Sequence, residues 1–262
     1  MKNNYQLLTN VINKMNVPFT IRIAVKKQTA EVKNIFNKII QDTKLWLETI
    51  DTEFSPFKSD SLVTKFRNGN KEIILQSDRF GEVYSLSSLA KDETEGFFNP
   101  FFDGGYNPTG LVKGWAIEKI FNQKLLLLLR QAEIVGVSLN GGGDIQTAVD
   151  PKSDFQWFVG IENPQKAETI IGQYALKNSG IATSGLSKRG EHIKRVNSSI
   201  QQVTVVADSL TEADVWATAG MAAGTDKFLQ LIAKNQLSGI LVDKKIGEVL
   251  FERGDVQDDQ AS

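Results

Sequence analysis

Phe19, Ile21, Ile23 and Val25 alternate with polar or small residues, which is the period of a half-buried strand. From Ala30 to Ile50 the period changes. Val32, Ile35, Phe36 and Ile39 recur at helical spacing, and Leu45 and Trp46 extend the segment. Thr52 to Gly69 is polar, holds Pro56 and several hydroxyl residues, and reads as a loop. Leu75 to Leu89 has the spacing of a second, shorter helix. Gly96 to Gly114, GFFNPFFDGGYNPTGLVKG, is dense in Gly, Pro, Asn and aromatics and reads as turn and loop. A helix is expected over Trp115 to Ala132. An apolar strand, Ile134 to Leu139, then stops at Asn140-Gly141-Gly142-Gly143-Asp144.

Further strands are expected at Phe155 to Ile161, Thr169 to Leu176 and Val203 to Ala207. A helix runs through Asp214 to about Ala223, another covers Lys227 to Asn235, and short strands lie near Ile240 and Val249. Helices mixed with runs of strands give an α+β class rather than a regular βαβ winding. No internal repeat and no long linker divides the chain, so residues 1–254 read as one domain. Asp255 to Ser262 is polar and acidic, and reads as a disordered tail.

Composition narrows the chemistry. The chain has 262 residues, 41% hydrophobic and 23% charged, with a net charge of −1. That is ordinary for a globular protein and supplies no basic field for nucleic acid or an anionic membrane. With no cysteine, thiolate nucleophiles, disulfides and cysteine-ligated metals are excluded. One histidine, His192, excludes multi-histidine metal sites and makes it the sole route to imidazole chemistry. The N-terminal MKNNYQLLTNVINKM lacks the apolar core of a signal peptide, and the longest apolar run, Leu125 to Leu129, is too short to span a bilayer. The expectation is a cytoplasmic protein with no membrane insertion and no nucleic-acid partner.

Asp214 and Thr218 stand four residues apart and share a helix face, so a carboxylate and a hydroxyl can close on one hard cation. Magnesium takes oxygen ligands and is often held by few protein groups plus substrate phosphates. A structural reading stands beside this one. Thr211-Glu212-Ala213-Asp214 fits a capping box, with Thr211 as cap and Asp214 as its carboxylate. Gly104, Gly105 and Gly110 let backbone approach a ligand closely, and Lys113 sets a cation beside them. Gly141 to Gly143 form a second permissive turn, and Lys188 to Arg195 is a locally basic segment around His192. There is no P-loop, no G-x-G-x-x-G fingerprint and no G-x-S-x-G elbow.

Several motifs then fall in one order. Met15-Asn16-Val17-Pro18-Phe19-Thr20 comes first, then Phe54-Ser55-Pro56-Phe57 with Ser59-Asp60-Ser61, and Gly96-Phe97-Phe98-Asn99-Pro100. Asn107-Pro108-Thr109-Gly110-Leu111-Val112-Lys113-Gly114 and Asn140-Gly141-Gly142-Gly143-Asp144 follow, then Ala182-Thr183-Ser184-Gly185 and His192. Val203 to Ala207 and Ala213-Asp214 through Thr218 complete the series. In this order, over nearly its whole length, the chain resembles the ApbE family of FAD:protein FMN transferases, in a compact branch without a signal peptide.

The resemblance implies an ApbE-like fold of mixed or antiparallel sheets flanked by helices, with FAD in a cleft between two lobes. It implies magnesium-dependent transfer of FMN from FAD to a threonine or serine hydroxyl of an acceptor protein, with release of AMP. Carried over, Asp214 and Thr218 are metal ligands with the Gly110 carbonyl as a third. Met15 and Phe57 pack the flavin, and Phe97, Phe98, Asn99, Asn107 and Lys113 hold FAD. His192 is the active-site base, and Asp144 supports the metal or flavin site.

The chain departs from the family pattern in three places. Asn99 and Asn107 stand where aspartate is common, and Ala217 where some members carry a second aspartate. The stretch from Pro100 to Asn107 is also shorter than in the longer members. Two other activities fit the same residues: a magnesium-dependent FAD pyrophosphatase, with water replacing the acceptor, and a non-catalytic FAD-binding protein.

Overall fold

The computed structural model describes residues 4–102, 104–166, 168–185 and 199–257; His192 lies outside them. Strands β1 (Gln6–Lys14) and β2 (Val17–Val25) form a hairpin whose two turn residues, Met15 and Asn16, have φ of 52° and 57°. Two positive φ values in a two-residue loop match the twist of the flanking strands. β1 was not foreseen, because its apolar residues come in pairs, Leu7-Leu8 and Val11-Ile12, rather than alternating. It is an edge strand, so Leu7 and Val11 are left exposed.

Helix α1 (Ala30–Phe54) starts at Thr29, whose hydroxyl accepts from the Val32 amide at 3.2 Å. It buries Val32, Phe36, Ile39, Leu47, Ile50 and Phe54, four residues beyond the expected end. The expected loop after it contains α2 (Leu62–Arg67), capped by Ser61 on the Thr64 amide at 3.1 Å. Next come α3 (Ile73–Gln76) and α4 (Asp78–Glu93), which split the single helix expected there.

Helix α5 (Thr109–Ile120) begins six residues before Trp115 and takes up the end of the stretch expected to be irregular. The reason is local. Asn107 Oδ1 accepts from the Thr109 amide at 3.2 Å, which satisfies a donor the first turn would otherwise orphan. A π turn, Phe121–Leu125, and a 3₁₀ turn, Leu126–Arg130, end the helical stretch.

The remaining elements are β3 (Ile134–Gly141), β4 (Asp144–Val149), β5 (Trp157–Glu162), β6 (Ile170–Leu176), β7 (Ser179–Gly185), β8 (Ile200–Ala207), α6 (Leu210–Ala223), α7 (Thr225–Lys234), β9 (Ser238–Asp243), β10 (Gly247–Glu252) and β11 (Asp255–Gln257). Among the described residues nine strands form one sheet in the order β1-β2-β3-β4-β7-β8-β9-β10-β11, and every neighbouring pair is antiparallel. β4 and β7 were also unforeseen. They bury Asp144, Gln146, Thr147 and Ser184, so hydropathy gives no strand signal. β11 pairs with β10, so the first residues of the expected tail are ordered strand.

The helices cover one face of the sheet, where Phe19, Ile21, Ile23, Val137 and Leu139 join α1, α5 and α6 in the main core. The β5–β6 hairpin covers the other face and packs Trp157, Ile161 and Leu176 against Val149, Ile181, Ile240 and Val242. α6 is buried nearly all round, consistent with a sequence that is apolar on every side. Among the described residues no helix is long and apolar enough to cross a membrane.

Asp243, at the end of β9, ties three segments together. Its Oδ2 accepts from the hydroxyls of Ser199 (2.6 Å) and Thr225, and its Oδ1 from the Lys245 amide at 2.6 Å. Burial opposes its charge, but these bonds outweigh burial and hold the carboxyl below the usual aspartate range. A carboxyl whose folded pKa is depressed adds stability above its unfolded pKa and loses it as pH falls through the folded value. Asp243→Ala is therefore expected to cost about 1–3 kcal/mol at pH 7. In urea unfolding, the gap between variant and wild type should narrow below pH 4. A gap that stays constant down to pH 2 contradicts the assignment.

Candidate active site

The site is built where α5 and α6 cross the helix-covered face of the sheet. They run antiparallel in close contact, with Gly110 opposite Thr218 and Gly114 opposite Asp214. A methyl group at Gly114 would stand 3.0 Å from Asp214 Cβ and 3.1 Å from its Oδ2. An added methyl there would force Asp214 or the Leu210 carbonyl to shift, so close packing favours glycine despite its cost inside a helix.

The start of α6 is fixed by three neighbours. Ser209 is the cap, accepting from the Glu212 amide at 3.2 Å. Gln146 Oε1 on β4 accepts from the Leu210 amide at 3.0 Å. Glu118 Oε2 on α5 accepts from Ser209 Oγ at 2.8 Å and from the Thr211 amide at 2.9 Å. The capping-box reading of Thr211 and Asp214 is thereby corrected. Ser209 and Glu212 hold the cap positions, so the Asp214 carboxylate lies further along the helix and has no capping role. Asp214 is wholly buried, and Thr218 follows one turn later.

The Thr218 hydroxyl lies 3.3 Å from Ser184 Oγ on β7. Beside it, Lys113 on α5 forms an ion pair with Asp144, the first residue of β4. Asp144 is wholly buried, Lys113 is mostly so, and Asp144 Oδ1 also accepts from the Thr183 amide at 3.1 Å. Asp144 is placed by the Gly142-Gly143 turn, with φ of 65° and 104°, and Asn140 Oδ1 receives the Gly143 amide at 2.9 Å. Through Gly142 this turn meets the first hairpin. The Gly142 amide donates to Pro18 O at 3.2 Å, two residues beyond the Met15-Asn16 turn.

The remaining expected residues divide. Phe98 is buried against Gly110, where an added methyl would stand 3.1 Å from its ring, and Phe97 packs on the core. Asn99 Oδ1 accepts from the Phe101 amide at 2.9 Å. The Asn107 amide donates to Pro100 O at 2.6 Å, so the two asparagines shape the short loop between them. Phe57 lies in the loop after α1, 87% exposed, and makes no ring contact among the described residues. Gly110, Lys113, Asp144, Asp214 and Thr218 are therefore brought together, while Phe57 is not joined to them by any described contact. Ser184, Gln146 and Glu118 are the additions. Only Ser184 carried a sequence signal, as part of the Ala182 to Gly185 motif.

Among the described residues no group of three or more Asp, Glu, His or Cys could hold a metal. The Asp214 carboxylate and the Thr218 hydroxyl stand one turn apart on α6, facing Gly114 and Gly110 of α5. Both are oxygen donors, a pair that fits magnesium completing its shell from substrate phosphates.

A separate groove of about 350 Å³ lies behind the two helices, lined by Glu82, Leu89, Trp115, Glu212 and Trp216 among others. It contains none of the expected site residues. Burial raises the Glu212 carboxyl pKa, and the nearby charges of Glu93, Asp208 and Glu118 raise it further.

The model of the ApbE family matches residues 106–241, just over half of the chain. Among solved structures, the apo form of the flavinyl transferase ApbE of Pseudomonas stutzeri superposes with a TM-score of 0.71 at 15% identity, covering 96% of both chains. The flavin transferase ApbE of Vibrio cholerae gives 0.67 at 16% identity, covering 94% of this chain and 96% of its own. The ApbE protein of Thermotoga maritima gives 0.70 at 17% identity, covering 95% and 100%. At these identities the likeness is one of fold. No curated protein matches the sequence.

Proposed function

The chain belongs to the ApbE family, and from that premise we propose that it transfers FMN from FAD to a threonine or serine hydroxyl of an acceptor protein, releasing AMP, with magnesium required. The observation that carries the proposal is the convergence of three distant segments, Gly110 to Lys113, Asp144, and Asp214 to Thr218, on one small volume. This supplies oxygen donors beside a largely buried cation, and phosphoryl-type transfer asks mainly for positioning and charge neutralisation.

In the proposed reaction the acceptor oxygen attacks the flavin-side phosphorus of the pyrophosphate. A new phosphoester bond forms, and the bridging bond breaks toward AMP, which leaves with the electron pair. Asp214, Thr218 and the Gly110 carbonyl would hold magnesium, which neutralises charge on the pyrophosphate when bound. Lys113 faces the same anion, and its pairing with Asp144 fixes the direction of its ammonium group. Met15 and Phe57 are assigned to the flavin ring. The exposed Phe57 ring is free for stacking, and Met15 holds a left-handed φ that side chains other than glycine and asparagine seldom take. Phe97, Phe98, Asn99 and Asn107 are assigned to the rest of FAD.

His192, outside the described residues, is assigned as the base that takes the acceptor hydroxyl's proton. His192→Ala is then expected to slow transfer to protein by ~10²–10⁴-fold. Transfer at the wild-type rate removes it from the chemistry. The reading as a whole is tested by incubating the protein with FAD, magnesium and a threonine-bearing acceptor, and following AMP by chromatography. AMP that needs both magnesium and acceptor supports transfer. AMP formed equally without acceptor points instead to hydrolysis of FAD.

A further inference from the structure

Ser184 is wholly buried on β7, and among the described residues its hydroxyl has one hydrogen-bond partner, Thr218 Oγ1 at 3.3 Å. A buried hydroxyl is costly to leave without a partner, so this contact fixes how both side chains turn. A hydroxyl carries one proton and two lone pairs. To serve as a neutral metal ligand, Thr218 must give a lone pair to the ion and send its proton elsewhere. In a helix the default acceptor is the carbonyl four residues back, here that of Asp214, and that choice turns the hydroxyl along the helix. Ser184 offers a second acceptor, on the strand beneath.

The neighbouring residue strengthens the case. Thr183 donates its amide to Asp144 Oδ1 at 3.1 Å, and its hydroxyl bonds Thr204 at 2.9 Å. Two successive residues of β7 therefore reach the carboxylate that pairs with Lys113 and the hydroxyl assigned to the metal. β7 pairs with β8 throughout Gly180 to Gly185, with Ser184 opposite Val203, and with β4 at Ser179 to Ile181. Ser184 therefore stands on a paired strand rather than a loop.

We propose that Ser184 is a positioning residue that accepts the Thr218 proton and so aims the Thr218 lone pair at the magnesium site. The inference rests on the assignment of Thr218 as a metal ligand. Partners one step removed from a metal set ligand orientation, and their loss commonly weakens metal binding 10–100-fold.

The test titrates Mn²⁺, as a probe for magnesium, into the full chain without FAD and follows free ion by electron paramagnetic resonance. Thermal midpoints confirm folding. Ser184→Ala is expected to bind Mn²⁺ about 10–100-fold more weakly than wild type. Thr218→Val is expected to weaken binding at least as much. The double variant should bind no worse than Thr218→Val alone, because a residue that acts through another adds nothing once that other is gone. Unchanged affinity in Ser184→Ala overturns the inference while leaving the metal site in place. So do additive losses in the double variant. Wild-type protein that binds no Mn²⁺ overturns the metal assignment and this inference with it.

Discussion

Replacing Asp214 with asparagine is expected to lower magnesium-dependent release of AMP from FAD by about 10³-fold, with the fold intact. The side chain is wholly buried, and its helix packs against Gly114 within van der Waals contact. Asparagine keeps the shape and one oxygen but loses the charge proposed to bind a divalent ion. A metal that stabilises developing phosphate charge is worth several kcal/mol, and about 4 kcal/mol corresponds to 10³ in rate. Folding should scarcely suffer, because asparagine keeps the volume of the buried side chain. The check is a rate of AMP formation beside a thermal melt. Lost activity with a melting midpoint near wild type supports a metal ligand. Unchanged activity reduces Asp214 to a packing residue.

Lys113→Ala is expected to strike stability as well as activity. Asp144 is wholly buried, and the Lys113 ammonium is its paired cation. Removing one partner of a buried pair strands the other charge and costs about 3–5 kcal/mol. In a chain of this size that lowers the melting midpoint by on the order of 10 °C. The double variant Lys113→Met with Asp144→Asn removes both charges and should recover most of that loss. It should not recover FAD binding if Lys113 is the cation for the pyrophosphate, as proposed. Thermal melts with FAD titrations on the three proteins separate the two effects. A Lys113→Ala protein that melts like wild type shows that Asp144 does not depend on the pair.

The helices were the legible part of the fold, and the reason is burial on one face. α1 repeats its apolar stripe along its length, and α7, also buried on one face, ends close to where the sequence placed it. The strands that frame the site were less visible. β4 and β7 turn Asp144, Gln146 and Ser184 toward the helices, and polar residues in a buried strand look like loop. α5 was cut short for a related reason. Gly110 and Gly114 weaken a helical pattern, yet Gly114 leaves room for Asp214 of α6 and Gly110 leaves room for the Phe98 ring.

The candidate site was read from separated motifs, and in the fold Lys113 meets Asp144 while α5 meets α6 at Asp214 and Thr218. Asp214 and Thr218 lie one turn apart on α6, as their spacing suggested, but the cap was misplaced by two residues. Ser209-Leu210-Thr211-Glu212 has the same spacing, and its Ser209 is the cap the helix uses, accepting from the Glu212 amide. Asn99 and Asn107, noted as lost charges, prove to shape the loop between Pro100 and the start of α5. No spacing rule links Ser184 to Thr218, because they meet only when β7 passes under α6.

The most direct measurement is the intact mass of an acceptor protein after incubation with this protein, FAD and magnesium. FMN transfer is expected to add the mass of FMN less one water to a single threonine or serine, in step with the AMP released, and a chelator should abolish both. An acceptor of unchanged mass beside accumulating FMN and AMP would contradict the transferase and leave a pyrophosphatase.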